Sequence, residues 1–259
     1  MNRISFPTLL HVEWLKLKRS PVKWLVLGVP LLYAAMLVWY YHGRQVKPGL
    51  TYAVYQTFWE AVTALLLPIA AGLLAGLIVH SEENAGQFTG LLGSGIARHR
   101  LYLAKLTLLS GLTAFCLLLA TSAFSAGIVL FTDIPFSWRL YASAAGLAAV
   151  SVVPLLTIHL WMAFAWGMTA SAAAGMGGLL IAALSATRLG DAVWPYLPWA
   201  WPIRFAILPG LSTLVDVPEG FMADYFNGNV TLTAAMVAVF LLICVAGSVG
   251  WFRRWEGRQ

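Results

Sequence analysis

Six long apolar runs, near residues 22–41, 57–79, 103–131, 140–165, 168–187 and 230–251, divide the chain, and its polar residues gather in the short stretches between them. Crossing the hydrocarbon core of a bilayer takes roughly 20 apolar residues, so each run is long enough to span. Within lipid the backbone must satisfy its own hydrogen bonds, either inside one segment or in a closed barrel. These runs are continuously apolar rather than alternating, which predicts helices and not barrel strands. The fold class expected is therefore an all-α integral membrane protein with six transmembrane helices, over residues 1–259 as one transmembrane domain. The longest connection, 188–229, is rich in Pro and Trp, and its apolar piece from Phe205 to Leu211 is too brief and too flanked by proline to span.

Composition agrees with that pattern: 60% of the 259 residues are hydrophobic and 10% are charged, against about 25% charged in soluble domains. The first run follows Lys16, Lys18, Arg19 and Lys23 and has the outline of a signal peptide, but no small-residue cleavage site follows it and more spans do. It is expected to be a retained anchor. Cys116 and Cys244 each sit within an apolar run, which reads as packing rather than a disulfide or a metal site.

Orientation follows from Lys and Arg, which accumulate in cytoplasmic loops. With the amino terminus inside, Arg3, Lys16, Lys18, Arg19, Lys23, Arg98, Arg100, Lys105, Arg253, Arg254 and Arg258 are cytoplasmic, while Arg44, Lys47, Arg139, Arg188 and Arg204 are outside. Both termini are then cytoplasmic. The net charge of +6 is accounted for by topology and by contact with membrane lipid, with no nucleic acid partner required. Within the spans, Gly72 with Gly76 and Ala142 with Gly146 are small-residue pairs that let helices approach closely. Pro30, Pro68 and Pro154 are expected to bend their helices.

Candidate chemistry is sparse. No G-x-x-x-x-G-K-[ST] loop occurs, and the stretch with Gly90, Gly93 and Gly95 lacks the Lys and the Ser or Thr that would hold a nucleotide and magnesium. No metal site is expected, and no proton relay, because the spans carry chiefly Glu60 and His159 as ionisable groups. Glu60 reads either as a carboxylate near the outer interface or as part of a substrate path, and His159 as a packing residue. Glu82 and Glu83 resemble the paired glutamates of membrane-embedded CAAX-type proteases. The family's following Arg is absent, however, and Leu155 and Ala163 stand where the patterns around His159 need Phe and Asn. Protease chemistry is not expected.

The informative connection is the loop 80–105. Asn84 is positioned to cap a helix, with Gln87 three residues on reaching back, and Phe88, Leu91 and Leu92 then fall on one helical face before Gly93, Ser94 and Gly95 end it. A short helix over 85–92 with an apolar knob, acidic at its start through Glu82 and Glu83 and basic beyond its end through Arg98, Arg100 and Lys105, is thus expected to face the cytoplasm. It would lie on the bilayer or dock in a groove of a partner.

These residues carry a resemblance. Acidic residues, Gly86, Phe88, Thr89, Leu91, Leu92, then Arg98 and Ala104 with Lys105 at the foot of the next span resemble the signature loop of type-2 ABC exporter permeases. Residues 13–20 are similar to the amphipathic interfacial helix preceding their first span. Within that family the segments 83–88 and 197–204 look like those of lantibiotic (bacteriocin) immunity permeases, while Gly93 to Ile96 departs from the usual join to the basic foot. The resemblance implies a half-transporter of the bacterial cytoplasmic membrane that is not itself an enzyme. It would pair with a second permease subunit, identical or not, and with a cytoplasmic ABC ATPase subunit that alone binds ATP and Mg. Its substrate would be an amphipathic peptide, removed from the membrane to confer immunity; another drug, lipid or amphiphile, or a subunit that does not transport, are the alternatives. ATPase coupling would fall on Glu82, Glu83, Gly86, Phe88, Leu91, Leu92 and Arg98. A substrate path would include Glu60 and the outer tryptophans Trp194, Trp199 and Trp201, near Trp138, which read equally as an aromatic belt. Asp191, Asp216, Glu219 and Asp224 in the same outer connection would attract a cationic peptide.

Overall fold

Helix α1 (Phe6–Leu17) buries Leu9, Glu13 and Leu17, one face at i, i+4 and i+8, and leaves Val12, Trp14 and Leu15 exposed. It packs against the start of α6 (Arg98–Phe131). The computed structural model describes residues 5–17, 20–86, 88–213 and 230–257, without the side chains of 212 and 213. Among these every regular element is helical. Sequence expectations resting on Arg3, Lys18, Arg19, Gln87, Asp216, Glu219, Asp224 and Arg258 fall outside the described residues.

Six helical segments are long and apolar enough to cross a membrane, in the expected order: Val22–Tyr41, Leu50–Asn84, Arg98–Phe131, Trp138–Trp166, Met168–Ser185 and Thr231–Arg254. The first is α2. The second is composite: α3 (Leu50–Glu60) runs through a wider π-helical turn, Ala61–Leu66, into α4 (Leu67–Asn84). Pro68 explains the widening, since its ring would strike the carbonyl of residue 64 in a regular helix and it has no N–H to donate there. The fourth span breaks at Val152 into α7 (Trp138–Ser151) and α8 (Val153–Trp166), with Pro154 in the first turn of α8. Pro30, by contrast, stays inside an unbroken α2. The second and third spans run well past the expected 57–79 and 103–131 at the end that carries α1. Thirty-four residues of α6 make roughly 50 Å of helix at 1.5 Å per residue, so its basic foot projects beyond a hydrocarbon core of roughly 30 Å.

Small residues set a close contact between two spans. A Cβ on Gly72 of α4 would lie 2.5 Å from the carbonyl oxygen of Ser171 on α9 (Met168–Ser185), and one on Gly175 would lie 2.6 Å from that of Pro68. The expected Gly72/Gly76 pair is thereby a helix seam, with Gly76 against Met168. The Ala142/Gly146 pair is not: a Cβ on Gly146 meets nothing within 4 Å, because that face of α7 points away from the bundle. Gly167, at φ 94°, joins α8 to α9 as a single-residue turn.

The opposite end of the bundle is filled by aromatics: Phe58 stacks on Phe124 with centroids 4.6 Å apart, Tyr141 meets Tyr55 edge-on at 5.0 Å, and Tyr33 donates to the Phe58 carbonyl at 2.7 Å. Into this end folds the connection after α9. Its short helix α10 (Trp201–Ile207) packs on α7 and α3, and Ile203 is buried between Ala64 and Ala182. Among its described residues, 188–213, the connection has no helix long enough to span, and it inserts among the spans instead of lying on the surface. The last span, α11 (Thr231–Arg254), buries only Thr233, Val237, Ser248 and Phe252. Its exposed Leu232, Val239, Leu242 and Ile243 would form an unfavourable apolar patch in water and are at home in lipid.

Candidate functional site

Beneath the loop that joins α4 to α6, four charges from three helices converge. The Lys105 Nζ of α6 donates to Glu82 Oε1 of α4 at 2.5 Å and to Glu13 Oε2 of α1 at 2.6 Å. Lys16 Nζ of α1 donates to Glu82 Oε1 at 2.6 Å and Glu13 Oε1 at 2.9 Å. Lys105, Glu13 and Glu82 are buried, and the Lys16 side chain is 38% exposed. An isolated buried ammonium is prohibitively expensive, so two ammoniums and two carboxylates, each charge touching two of opposite sign, is the arrangement that makes Lys105 tolerable there. Burial works against the charge on Lys16, but the hydrogen bond and charge of Glu82 and the charge of Glu13 outweigh it and hold its pKa above the ordinary value.

The geometry closes the stem of the loop. Glu82 ends the second span, Lys105 begins the third, and Glu13 with Lys16 pins α1 across both. The sequence places Glu82 at the acidic start of the loop but does not single out Glu13. The signal was present: Lys105 lies at the edge of an apolar run, and such a charge requires a named partner.

The helix expected over 85–92 is not formed as such. Helix α4 continues through Asn84, so Asn84 closes a helix instead of capping a new one, and its Nδ2 lies 3.0 Å from His80 Nε2. Gly86 (φ 129°) and Phe88 (φ 65°) then adopt left-handed conformations that interrupt any helix, leaving one turn, α5 (Thr89–Leu92). Phe88 is the only non-glycine residue with positive φ among those described. A phenylalanine held there needs compensation, and its ring has it. It is buried against Trp255 (4.9 Å, edge-on) and near Phe164 (6.3 Å), in a cluster continued by Phe252 and Tyr102. The apolar knob is therefore turned into the protein. Leu91 is buried too, Leu92 is half-buried, and among the described residues the exposed surface of the loop is made by Asn84, Ala85, Gly86, Thr89, Gly90, 93–95 and Ala97.

Arg98 serves the same seat. Its Nη1 donates to the carbonyls of Trp255 (2.6 Å) and Arg253 (3.1 Å). This cation sits at the C-terminal end of α11, where helix carbonyls lack partners. The segment after α11 is thus clasped to the loop. Glu83 is half-buried, with Oε2 3.4 Å from His80 Nδ1.

At the opposite end, Glu60 is half-buried and accepts a 2.6 Å hydrogen bond from Gln56 Nε2. The expected tryptophan surface is not one surface. Trp201 is buried, donating Nε1 to the Pro195 carbonyl at 2.9 Å, and Trp194 is buried beside Phe205 with the Arg204 guanidinium 5.7 Å from its ring. Trp199 lies against Gly178 of α9, and only Trp138 is broadly exposed. Tryptophan flanked by proline in an inserted segment is consumed by packing. Arg204 also donates to the Ser185 and Thr187 carbonyls at the end of α9 and to Asp191 Oδ1 at 2.7 Å. His159 is buried, with Ser171 Oγ 3.4 Å from its Nδ1. Among the described residues no three His, Cys, Asp or Glu converge as a metal site would require, and both cysteines are free thiols.

A family model described as ABC-2 family transporter protein matches residues 9–187. The match includes all four members of the charge cluster and the whole loop between α4 and α6. No curated protein matches the chain.

Proposed function

Because the chain belongs to the ABC-2 transporter family, a family of membrane components that work with an ATPase, we propose that a partner ATPase pair drives it from the cytoplasmic side through the 85–97 loop. ATP and Mg bind on that partner, and a second permease subunit completes the translocating unit in a bacterial cytoplasmic membrane with both termini inside. The observation that carries this reading is the four-charge cluster. A force on the loop meets a stem locked by Glu82 and Lys105, a floor made by Phe88 on Trp255, and α1 tied to both. The loop therefore moves as a unit with the second and third spans. Its contact with the ATPase is the exposed rim around Thr89 and Gly90, with half-buried Leu92 at its edge, while Phe88 and Leu91 hold that rim in shape from behind. Glu82, Gly86 and Arg98 act in the same supporting way, and Glu83 borders the rim.

The substrate we propose is an amphipathic peptide antibiotic, supported by the likeness of residues 83–88 and 197–204 to immunity permeases. Glu60, at the break where α3 passes into the π-helical turn, is the polar group proposed to line its path. The test is co-purification of the ATPase and its peptide-stimulated hydrolysis. Gly90→Trp and Thr89→Trp, both on the exposed rim, are expected to release the ATPase from a chain that still folds. Full assembly and full stimulation in both variants would move the contact elsewhere, and stimulation by other amphiphiles but not by peptides would reject the substrate.

A further inference from the structure

Helix α2 packs along α6, and α4 packs along α8 and α9, but α2 and α4 make no extended contact. The gap between them, with α6 as its floor, is a cleft of about 290 Å³. Its walls are Val26, Val29 and Pro30 of α2, Leu67 and Ala70 of α4 and Leu117 of α6, among others. Three lining residues carry polar atoms, and all three direct them into backbone. Thr113 Oγ1 donates to Leu109, Tyr33 Oη to Phe58, and Cys116 Sγ approaches the Val26 carbonyl at 3.6 Å. The wall thus offers an occupant no hydrogen bond, while Leu25 and Val29 on its rim are exposed to the surrounding hydrocarbon. An unfilled apolar gap forfeits contacts on every side, so hydrocarbon from the bilayer gains by entering it.

The same face of α2 carries a charge where the span begins. Lys23 precedes Val26 by three residues and Pro30 by seven, which places it above the cleft on one helical face. It is exposed, lies 5.3 Å from the Trp24 ring, and forms an ion pair with no carboxylate among the described residues. From Leu25 to Tyr33 the cleft runs roughly 12 Å along α2, about the depth of one leaflet's outer acyl segment. We infer that this cleft seats one acyl chain of an anionic phospholipid from the leaflet at the α1 end, with its phosphate at Lys23.

The purified full chain, reconstituted in nanodiscs of mixed phosphatidylglycerol and phosphatidylcholine, would be released into mild detergent and its retained lipid counted by native mass spectrometry. The wild type is expected to keep one phosphatidylglycerol per chain, preferred over phosphatidylcholine by roughly fivefold, the factor one lysine contributes at an anionic surface. Val29→Trp and Ala70→Phe fill the cleft from opposite walls and should each abolish retention, whereas Leu32→Trp, on the exposed side of α2, should not. Lys23→Gln should keep a lipid but lose the headgroup preference. Two wall variants make the test independent of either one folding poorly. Retention unchanged in whichever wall variants fold, or a preference that survives Lys23→Gln, would overturn the assignment.

Discussion

Replacing Glu82 by Gln keeps the shape of the side chain and removes one charge of the cluster. Lys105, with a side chain only 1% exposed, would then be balanced by Glu13 alone, and Glu13 must also hold Lys16. Breaking one partner of a buried ion pair costs about 3–5 kcal/mol. Since Glu13 stays 2.6 Å from Lys105 and the amide oxygen still accepts a hydrogen bond, the low end, about 3 kcal/mol, is expected. For a protein of this length that corresponds to a melting temperature lowered by roughly 6–12 °C. Lys105→Met should cost as much, because it leaves two buried carboxylates sharing Lys16. The double variant restores neutrality with the Glu13–Lys16 pair intact, so the two losses should fall short of adding by about 2 kcal/mol. Lys16→Met also leaves Glu13 and Glu82 sharing one ammonium, but the Lys16 side chain is 38% exposed and water can take its place, so its loss should be smaller than that of Lys105→Met. Thermal unfolding followed by fluorescence-detected size exclusion in mild detergent measures all four. Single variants that melt within a degree of wild type, or strictly additive losses in the double, would refute the cluster as the lock of the loop stem.

Phe88→Ala should destabilise by about 3–5 kcal/mol as a buried aromatic lost to a cavity, and should free the segment around Trp255 to proteolysis at matched expression; an unchanged cleavage pattern would count against the seat. Gly72→Ala must push a backbone carbonyl 2.5 Å away and should lower stability by about 1–3 kcal/mol, whereas Gly146→Ala, in open space, should be silent or slightly stabilising in the same melt. In a chain whose Cys116 and Cys244 are replaced by Ala, Ser94→Cys should resist an impermeant thiol reagent on intact cells and Val46→Cys should react; labelling of Ser94→Cys would invert the proposed orientation.

The number and helical nature of the spans were legible because lipid demands continuous apolar runs. Span lengths were underestimated wherever a helix outran the hydrocarbon, as at Leu50 and Arg98, since polar residues such as Glu82 and Lys105 end an apolar window without ending a helix. The loop was the right place but the wrong shape. Periodicity put Phe88, Leu91 and Leu92 on one face, yet it carries no information about whether that face turns outward, and two left-handed residues at Gly86 and Phe88 are invisible to it. Burial of Phe88 depends on Trp255, 167 positions later. The same holds for the charges: Glu13 meets Lys105 across 92 residues, a pairing that only packing creates. Tryptophans 194 and 201 were legible as a cluster, but an interface belt and an inserted, proline-flanked plug have the same composition.

The central claim, that a partner ATPase acts on this chain through the loop between α4 and α6, is tested most directly by isolating the wild-type chain and its Ser94→Cys variant from the native membrane in mild detergent. The account predicts that an ATPase bearing a phosphate-binding loop co-purifies in stoichiometric amount, cross-links to Ser94→Cys on the exposed rim, and hydrolyses ATP faster when an amphipathic peptide is added. A chain that purifies without any such ATPase, or an ATPase that cross-links elsewhere and never through the rim, would contradict it.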